Sequence, residues 1–299
     1  MNRLSINLGK LKLESPLIMV SGIFGYGTDI PGIFDMGKIG AIVTKTITLN
    51  PCPGNPQIRI WETPSGVINS IGLQNPGIER FKREILPGLE KLKCKKIVSI
   101  TGNEDELRKI CDMLNGEKMD GIELNISCPN IKGKMFSQDT SLTYKIVKCV
   151  KERCKFPLIV KLSPNVTDIV EIAIAAEDGG ADILSMINTV KAMAVDIEKM
   201  RVIAGGLSGS AIKPIGIRCV YEVYKKVKIP IIGIGGISCG KDALEYILCG
   251  ASAVGIGSAV FSNPSVIDEI YGFLKNYLET NKIENIGKIV GSLNEKEER

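Results

Sequence analysis

Cys128 lies within an Asn-Ile-Ser-Cys-Pro-Asn segment at residues 125–130, the only cysteine of the chain in such a setting. A free thiol has a pKa of about 8.5, and neighbouring groups can stabilise the thiolate so that it acts as a nucleophile or a general base. The chain contains no histidine. This excludes His-based catalytic triads and His-ligated metal sites. The sequence therefore favours Cys128 as the residue that transfers a proton.

Two lysines each close a short apolar run. Lys45 follows Val43 and Thr44, and Lys161 follows the run 158–160 (Leu-Ile-Val). A buried ammonium is costly unless an anion lies nearby. The alternative is a lysine at a strand end whose ammonium reaches water. Because there are two such lysines, we favour binding of an anionic group.

Amide and glycine residues add two further signals. Asn69, Asn125, Asn130 and Asn188 offer both donors and acceptors, a set that suits a planar, imide-like ligand. The glycine pairs in 233–236 and 255–258 follow the last two apolar runs, where backbone N–H groups of a barrel often bind phosphate. The alternative is a pair of tight turns that need glycine. A third glycine cluster, 205–209, could reach the same phosphate, although by itself it indicates only a flexible loop.

The elements that position these residues follow from the hydrophobic pattern. Apolar runs typical of parallel strands buried on both faces alternate with segments of helical period. The runs are 17–20, 41–44, 97–100, 121–125, 158–161, 183–187, 229–234 and 253–256, and the helical segments include 104–114, 141–153, 168–176, 215–227 and 241–249. This count predicts an α/β fold, a (β/α)8 TIM barrel, with a doubly wound sheet as the alternative.

The chain reads as a single domain over 1–299, with a long proline-rich insertion (47–86) between the second and third barrel strands and a polar, solvated tail over 281–299. A connection of this length in a compact domain is usually functional. Barrel enzymes carry their active sites at the carboxyl ends of the strands. The lysines, asparagines and Cys128 are all predicted to lie at that end.

Composition narrows the class of protein. The chain has 299 residues, 44% of them hydrophobic, and a net charge of +5 from 38 basic and 33 acidic residues without a basic stripe. This argues against a disordered protein, a nucleic-acid partner or a membrane partner. The nine cysteines contain no C-x-x-C pair. The sequence therefore predicts no metal or iron–sulfur site on this chain and a cytoplasmic protein.

Taken together, the motifs resemble class 1 dihydroorotate dehydrogenases from about Arg3 to the final helix. The Gly-Leu-Gln-Asn-Pro-Gly and Leu-Ser-Pro-Asn stretches resemble subclass 1B, the FMN subunit of a two-subunit enzyme. The segments that carry the resemblance are 21–22 (Ser-Gly), 45–46 (Lys-Thr), 69–77 (Asn-Ser-Ile-Gly-Leu-Gln-Asn-Pro-Gly), 125–130, 161–165 (Lys-Leu-Ser-Pro-Asn), 187–189 (Ile-Asn-Thr), 206–209 (Gly-Leu-Ser-Gly), 235–236 (Gly-Gly) and 257–258 (Gly-Ser).

The resemblance implies FMN-dependent oxidation of dihydroorotate to orotate in pyrimidine (UMP) biosynthesis. Cys128 would remove the proton from C5, and the hydride on C6 would pass to FMN. The residues implied for FMN are Ser21, Lys45, Thr46, Ser99, Asn125, Lys161, Ile187, Gly209, Gly235, Gly236, Gly257 and Ser258. Those implied for dihydroorotate are Lys45, Asn69, Ser70, Ile71, Gly72, Leu73, Asn125, Asn130, Asn188 and Thr189. Ser99 departs from the family, which usually has an asparagine near the flavin at this position.

The resemblance also implies partners. The chain has no dinucleotide-binding fingerprint and no cysteine cluster, so reduction of NAD⁺ would need a partner subunit that carries FAD and an iron–sulfur cluster. We expect a homodimer core within a heterotetramer. Three alternatives stay open: a subclass 1A homodimer that reduces fumarate, a flavin-dependent uracil or dihydropyrimidine reductase, and a flavin-free barrel lyase or isomerase.

Overall fold

A closed barrel of eight parallel strands forms the centre of the computed structural model, which describes residues 2–28, 32–126 and 136–293. The strands of the described chain are β1 (Ile6–Leu8), β2 (Leu11–Leu13), β3 (Leu17–Met19), β4 (Ala41–Val43), β5 (Ile60–Thr63), β6 (Gly66–Asn69), β7 (Lys95–Ile100), β8 (Gly121–Asn125), β9 (Leu158–Lys161), β10 (Ile183–Met186), β11 (Val190–Asp196), β12 (Arg201–Ser208), β13 (Ile231–Ile234) and β14 (Ala251–Ile256).

Helices connect the barrel strands and pack on the outside of the barrel. They are α1 (Gly77–Arg80), α2 (Leu86–Leu89), α3 (Glu104–Leu114), α4 (Thr140–Arg153), α5 (Ile169–Asp178), α6 (Lys213–Tyr224), α7 (Gly240–Leu248), α8 (Ala259–Ser262) and α9 (Val266–Thr280). A π-helical segment, Phe81–Ile85, joins α1 to α2, and short 3₁₀ helices span Met36–Lys38, Phe136–Gln138, Ser210–Ile212 and Ile286–Ile289.

The barrel closes in the order β3-β4-β7-β8-β9-β10-β13-β14, with β14 pairing back onto β3. Its strands are buried on both faces, which explains their continuous apolar sequence. Inside the barrel, a cluster that includes Ile18, Ile97, Ile159 and Ile183 fills the lower layers. The predicted (β/α)8 TIM-barrel fold is confirmed.

A second, antiparallel sheet of order β11-β12-β6-β5 lies beside the barrel. The strands β5 and β6 belong to the connection between β4 and β7, and β11 begins four residues after β10 ends. Both connections leave the carboxyl end of a barrel strand, so this sheet borders the same end. Residues 205–208 of the segment 205–209, which by itself suggests a flexible loop, belong to strand β12, and Gly206 pairs with Asn69.

The segment after α9 differs from the solvated tail expected over 281–299. Ile286 is fully buried, and its N–H donates to the carbonyl of Arg3. The Asn285 side chain donates to the Ser5 carbonyl. Asn285 and Ile286 therefore attach this segment to the start of the chain, although many of its other residues are exposed, and 294–299 lie outside the described residues.

Candidate active site at the barrel mouth

Polar side chains follow the carboxyl ends of neighbouring barrel strands and meet at one mouth. Thr46 Oγ1 lies 3.4 Å from Ser21 Oγ and 2.9 Å from Ser99 Oγ. The Asn125 side-chain amide approaches the same Thr46 oxygen at 3.5 Å. Residues that follow β3 and β4 thus join residues of β7 and β8 in one hydrogen-bonded group, as the carboxyl ends of parallel strands allow.

The Lys161 ammonium is buried, with 6% of the residue exposed, and its anion is a residue that we did not predict. Glu123 Oε1 lies 4.0 Å from Lys161 Nζ and also accepts a hydrogen bond from Ser99 at 3.2 Å. The available signal was a single charged residue within the apolar run 121–125. An internal carboxylate therefore supplies the counter-charge that burial of Lys161 requires.

Lys45 stands in a different environment. It is half-buried, and burial, with a smaller contribution from the positive charge of Arg59, lowers the pKa of its ammonium. A cavity of about 570 Å³ opens beside it, lined by Tyr26, Lys45, Pro51, Cys52, Pro53, Gln74, Asn75, Pro76 and Arg80. An anionic ligand beside Lys45 would relieve this electrostatic cost.

Glycine turns after β12, β13 and β14 form the opposite side of the mouth. Gly236 has φ +66°, and a Cβ built there would lie 2.7 Å from the Gly209 carbonyl oxygen and 2.8 Å from the Lys213 nitrogen. The turns of Gly209 and Gly236 therefore adjoin. Within the described chain, the backbone N–H groups of Gly236, Gly257 and Ser258 have no hydrogen-bond acceptor. Such N–H groups are available to an anion.

The turn at Gly235 is held from the core of the protein. The hydroxyl of the fully buried Tyr246, on α7, donates to the Gly235 carbonyl at 2.7 Å. Ile187, which follows β10, is buried nearby, and its N–H donates to the carbonyl of Ile234 at 2.8 Å. The predicted residues Ile187, Gly235 and Gly236 thus belong to one hydrogen-bonded corner of the mouth.

The loop predicted to close over the substrate begins at Asn69, the last residue of β6. Asn69 donates through its side-chain amide to the Gly206 carbonyl. The Asn55 side chain donates to Ser70 Oγ at 2.9 Å, and the Asn55 N–H donates to the Ile71 carbonyl at 3.0 Å. Gly72 and Leu73, the remaining residues of this loop, both have left-handed φ, +71° and +55°. A Cβ at Gly72 would collide with Asn55, so only glycine allows this close approach.

Thr189 lies at the start of the second sheet and is held by Asn165. The Asn165 amide donates to the Thr189 carbonyl at 2.9 Å, and its oxygen accepts from the Lys191 N–H at 2.8 Å. The oxygen of the neighbouring Asn188 side chain accepts from the Thr189 N–H at 2.8 Å. Asn165 stands in the Lys-Leu-Ser-Pro-Asn motif, but we did not predict a site role for it.

Two predicted residues cannot be placed: Cys128 and Asn130 lie outside the described residues. The described part of β8 ends at Asn125, whose backbone carbonyl accepts from Thr101 Oγ1 at 2.8 Å. The roles of Cys128 and Asn130 therefore stay predictions from the sequence.

Comparison with known proteins identifies the family. The family model described as dihydroorotate dehydrogenase matches residues 3–278. The chain belongs to the dihydroorotate dehydrogenase family. It is 46% identical to a protein of Caldicellulosiruptor bescii over 97% of this chain and 99% of that protein. Its identity is 46% to a Geotalea uraniireducens protein and 44% to a Bacteroides thetaiotaomicron protein, each over 97% of this chain and 98% of the relative. All three relatives are named dihydroorotate dehydrogenase B (NAD(+)), catalytic subunit.

Membership in the dihydroorotate dehydrogenase family implies a flavin cofactor, and the chemistry of the mouth fits a flavin mononucleotide. A flavin mononucleotide has a phosphate at one end and a ring rich in hydrogen-bonding groups at the other. The N–H groups of Gly236, Gly257 and Ser258, which have no acceptor among the residues that the structure describes, suit the phosphate. The hydroxyls of Ser21 and Thr46 and the buried Lys161 suit the ring.

Two absences complete the description of this family member. None of the helices in the described parts of the chain is both long and apolar enough to cross a membrane. Across the same residues, no three or more Cys, Asp and Glu side chains are grouped so that they could bind a metal ion.

Proposed function

We propose that this chain oxidises dihydroorotate to orotate in pyrimidine biosynthesis, as the FMN-carrying subunit of an NAD⁺-linked enzyme. The observation that carries the proposal is the identity of 44–46% along 97% of the chain to proteins named as catalytic subunits of dihydroorotate dehydrogenase B. The matched residues, 3–278, include all the strand ends that form the mouth.

The chain's own residues would hold FMN at its two ends. The N–H groups of the glycine turns would bind the phosphate, and the side chains of the opposite strand ends would bind the ring. Bound FMN supplies a hydride acceptor. The residues proposed to bind the phosphate are Gly209, Gly235, Gly236, Gly257 and Ser258. The residues proposed to bind the flavin ring are Ser21, Lys45, Thr46, Ser99, Asn125, Lys161 and Ile187.

Dihydroorotate carries a cyclic imide and a carboxylate, and the residues assigned to it match both features. Lys45 would neutralise the carboxylate, and the amides of Asn69, Asn125, Asn130 and Asn188 would pair with the imide donors and acceptors. Thr189 and the loop 70–73 would enclose the ring. The Asn55 bonds to Ser70 and Ile71 support a preformed loop, because they fix its backbone.

The oxidation removes a proton and a hydride from adjacent carbons of dihydroorotate. We assign the proton on C5 to the Cys128 thiolate, since the chain has no histidine and Cys128 comes three residues after Asn125, the last residue of β8, in the sequence. Loss of the C5 proton and of the C6 hydride leaves the C5–C6 double bond of orotate. A free thiol has a pKa of about 8.5, so a nearby positive charge is needed to stabilise the thiolate near neutral pH. The two lysines of the mouth are the candidates for that charge.

We further propose that the chain assembles with itself and with a subunit that carries FAD and an iron–sulfur cluster. The printed name of the relatives, "catalytic subunit", supports a second subunit. The β11–β12 hairpin supports protein contacts, because the cross-strand neighbours Val195 and Val202 are 53% and 60% exposed and Met193 is 62% exposed. Exposed apolar surface of this kind marks protein interfaces.

The proposed activity is tested on the purified chain under anaerobic conditions. The protein should be yellow, with bound FMN identified by its mass after release, and dihydroorotate should bleach the flavin absorption while dihydrouracil does not. Bleaching by dihydrouracil alone would favour a dihydropyrimidine reductase. A colourless protein that FMN does not reconstitute would contradict the proposal and leave a flavin-free barrel enzyme.

A further inference from the structure

Glu123 is a carboxylate inside the barrel to which none of the roles above is assigned. It is the third residue of β8, between Ile122 and Leu124, and 2% of it is exposed. Transfer of an ionised carboxylate into a protein interior is costly unless hydrogen bonds and an opposite charge compensate it. Valine or isoleucine would fill a buried strand position without that cost. A carboxylate at this position therefore needs partners that stabilise its charge.

The Glu123 side chain reaches three other barrel strands. Its Oε1 accepts from the Ser99 hydroxyl of β7 at 3.2 Å, and its Oε2 accepts from the Ser185 hydroxyl of β10 at 3.1 Å. Lys161 of β9 approaches Oε1 to 4.0 Å. Because β9 lies between β8 and β10 in the barrel wall, the bond to Ser185 must pass through the barrel interior. Glu123 thus forms the floor beneath the mouth.

The carboxylate fixes the direction of the hydroxyl chain above it. An ionised carboxylate only accepts hydrogen bonds, so the Ser99 hydroxyl donates to Glu123 and its oxygen accepts from Thr46 at 2.9 Å. Because the Thr46 hydroxyl donates its hydrogen to Ser99, the Thr46 oxygen can accept a hydrogen bond from another donor. Asn125 Nδ2 lies 3.5 Å from that oxygen. A neutral group at Glu123 would not impose this order.

The same carboxylate balances the charge of Lys161 without using its hydrogens. A separation of 4.0 Å is longer than an ammonium–carboxylate hydrogen bond, which is about 2.7–2.9 Å. The N–H donors of Lys161 therefore remain available to a ligand at the mouth, while its charge is offset from below.

We propose that Glu123 is a positioning residue that sets the charge beside the flavin: it offsets the charge of Lys161 from below and holds the hydroxyl hydrogens of Ser99 and Thr46 towards the barrel floor, which leaves the Lys161 N–H donors and the Thr46 oxygen for the mouth. This inference rests on the proposed binding of FMN. With the carboxylate in place, the positive charge available to the reduced, anionic flavin is partly offset. Removal of the negative charge should therefore stabilise the reduced flavin relative to the oxidised flavin.

The test is the flavin midpoint potential of Glu123→Gln, measured at neutral pH by equilibration with a reference dye. The variant keeps the size of the side chain and removes its charge. We expect reduced FMN to be bound at least tenfold more tightly relative to oxidised FMN than in the wild type, a shift of about +30 mV for a two-electron couple. Ser185→Ala removes one hydrogen bond to the same carboxylate without a change of charge, and Glu152→Gln removes an exposed charge on α4. Both controls should move the potential much less.

An unchanged or more negative potential in Glu123→Gln would overturn the inference. If that variant does not fold, Glu123→Asp decides: it retracts the carboxylate from Lys161 and Ser99, and the potential should move in the same direction by a smaller amount. An unchanged potential in Glu123→Asp would then count against the inference. The measurement needs no dihydroorotate, so a wild type that binds no FMN refutes the proposed function, whereas wild-type binding with an unmoved potential refutes only the role of Glu123.

Discussion

The Tyr246 hydroxyl donates to the carbonyl of Gly235 at 2.7 Å, so a buried residue of α7 is hydrogen-bonded directly to a turn of the barrel mouth. Burial raises the pKa of Tyr246 well above its usual range, which keeps the hydroxyl protonated and able to donate. Gly236, the next residue, carries one of the N–H groups without an acceptor in the described chain. The position of that N–H thus depends on a bond made from behind the turn.

We predict that Tyr246→Phe loosens this turn and weakens FMN binding. A buried carbonyl left without its donor costs about 1–3 kcal/mol, and a loss of about 1.4 kcal/mol in binding is tenfold in affinity. Fluorescence titration of the apo-protein with FMN measures the effect. The matched control is Tyr224→Phe, whose hydroxyl lies 3.5 Å from the Val290 carbonyl in an exposed setting. Equal affinities of the two variants for FMN would argue against the turn's role.

A second prediction concerns Asn165, whose side chain donates to the Thr189 carbonyl and accepts from the Lys191 N–H. Asn165→Ala should raise KM for dihydroorotate more than it lowers kcat, because the strand start that carries Thr189 loses its support. The loss of stability should be about 1–3 kcal/mol.

Asn115→Ala is the control for that prediction. Asn115 also bridges two backbone groups, the carbonyl of Arg153 and the N–H of Lys155. Asn115 follows α3 and its two partners precede β9, so these bonds lie at the amino ends of the strands. Its stability loss should be similar and its KM normal. A raised KM in both variants would show that loss of stability alone explains the effect at Asn165.

The barrel was predictable because each of its strands is a local signal. A parallel strand buried on both faces must be apolar along its length, and the predicted bounds of β8 and β9 agree with the structure residue for residue. The second sheet was not predictable in this way. The pair Gly206 and Asn69 in this sheet joins residues that are 137 positions apart in the sequence. In addition, exposed side chains of β11, such as those of Met193 and Val195, are apolar. Alternation of apolar and polar residues, the usual sign of a half-buried strand, is therefore weak there.

The candidate site divides in the same manner. Residues at strand ends, such as Lys161 and Asn125, could be assigned to the mouth because barrel topology places every strand end there. Asn165 and Tyr246 escaped prediction, since their contacts with Thr189 and Gly235 depend on how loops and helices pack in three dimensions. Glu123 could have been noticed in the sequence, because it is a charged residue inside an apolar run and a buried carboxylate needs a counter-charge.

The third prediction follows from the lowered pKa of Lys45. Burial and, to a smaller degree, Arg59 disfavour the charged form in the folded protein. The unfolded chain therefore binds this proton more tightly. The charge costs stability below the folded pKa, and the cost disappears as the pH rises towards the ordinary value of 10.5. Lys45→Met should raise the Tm of the apo-protein at neutral pH, and the gain should shrink as the pH approaches that value.

The activity of Lys45→Met should change in the opposite direction. Loss of a charged hydrogen bond costs about 1.5–3 kcal/mol, so dihydroorotate oxidation should fall about tenfold to a hundredfold. Lys10→Met, which replaces an exposed lysine between β1 and β2, should alter neither property. A lower Tm for Lys45→Met at neutral pH would contradict the burial cost, and full activity would contradict the contact with substrate.

The fourth prediction tests the base. Cys128→Ser should retain FMN and lose dye-linked dihydroorotate oxidation near neutral pH by roughly 10²–10⁴-fold, the usual contribution of a general base. A serine hydroxyl is a much weaker acid than a thiol, and each pKa unit adds about 1.36 kcal/mol to the cost of the basic form. Turnover should therefore recover in part at high pH. Cys239→Ser, at an exposed cysteine, is the control. Near-normal turnover of Cys128→Ser at neutral pH would remove Cys128 from the mechanism.

The last prediction concerns the electron acceptor. The sequence carries no dinucleotide-binding fingerprint, so the purified chain should reduce an artificial dye with dihydroorotate but reduce NAD⁺ negligibly. Addition of the subunit that carries FAD and the iron–sulfur cluster should restore NAD⁺ reduction. The variant Val195→Asp, which adds a charge to the exposed face of β11, tests whether the β11–β12 hairpin takes part in assembly. The mass of the complex, measured by light scattering, should fall, while the isolated variant should still reduce the dye. Efficient NAD⁺ reduction by the chain alone would refute the need for a partner. Efficient fumarate reduction would instead assign the chain to the self-contained homodimers of subclass 1A.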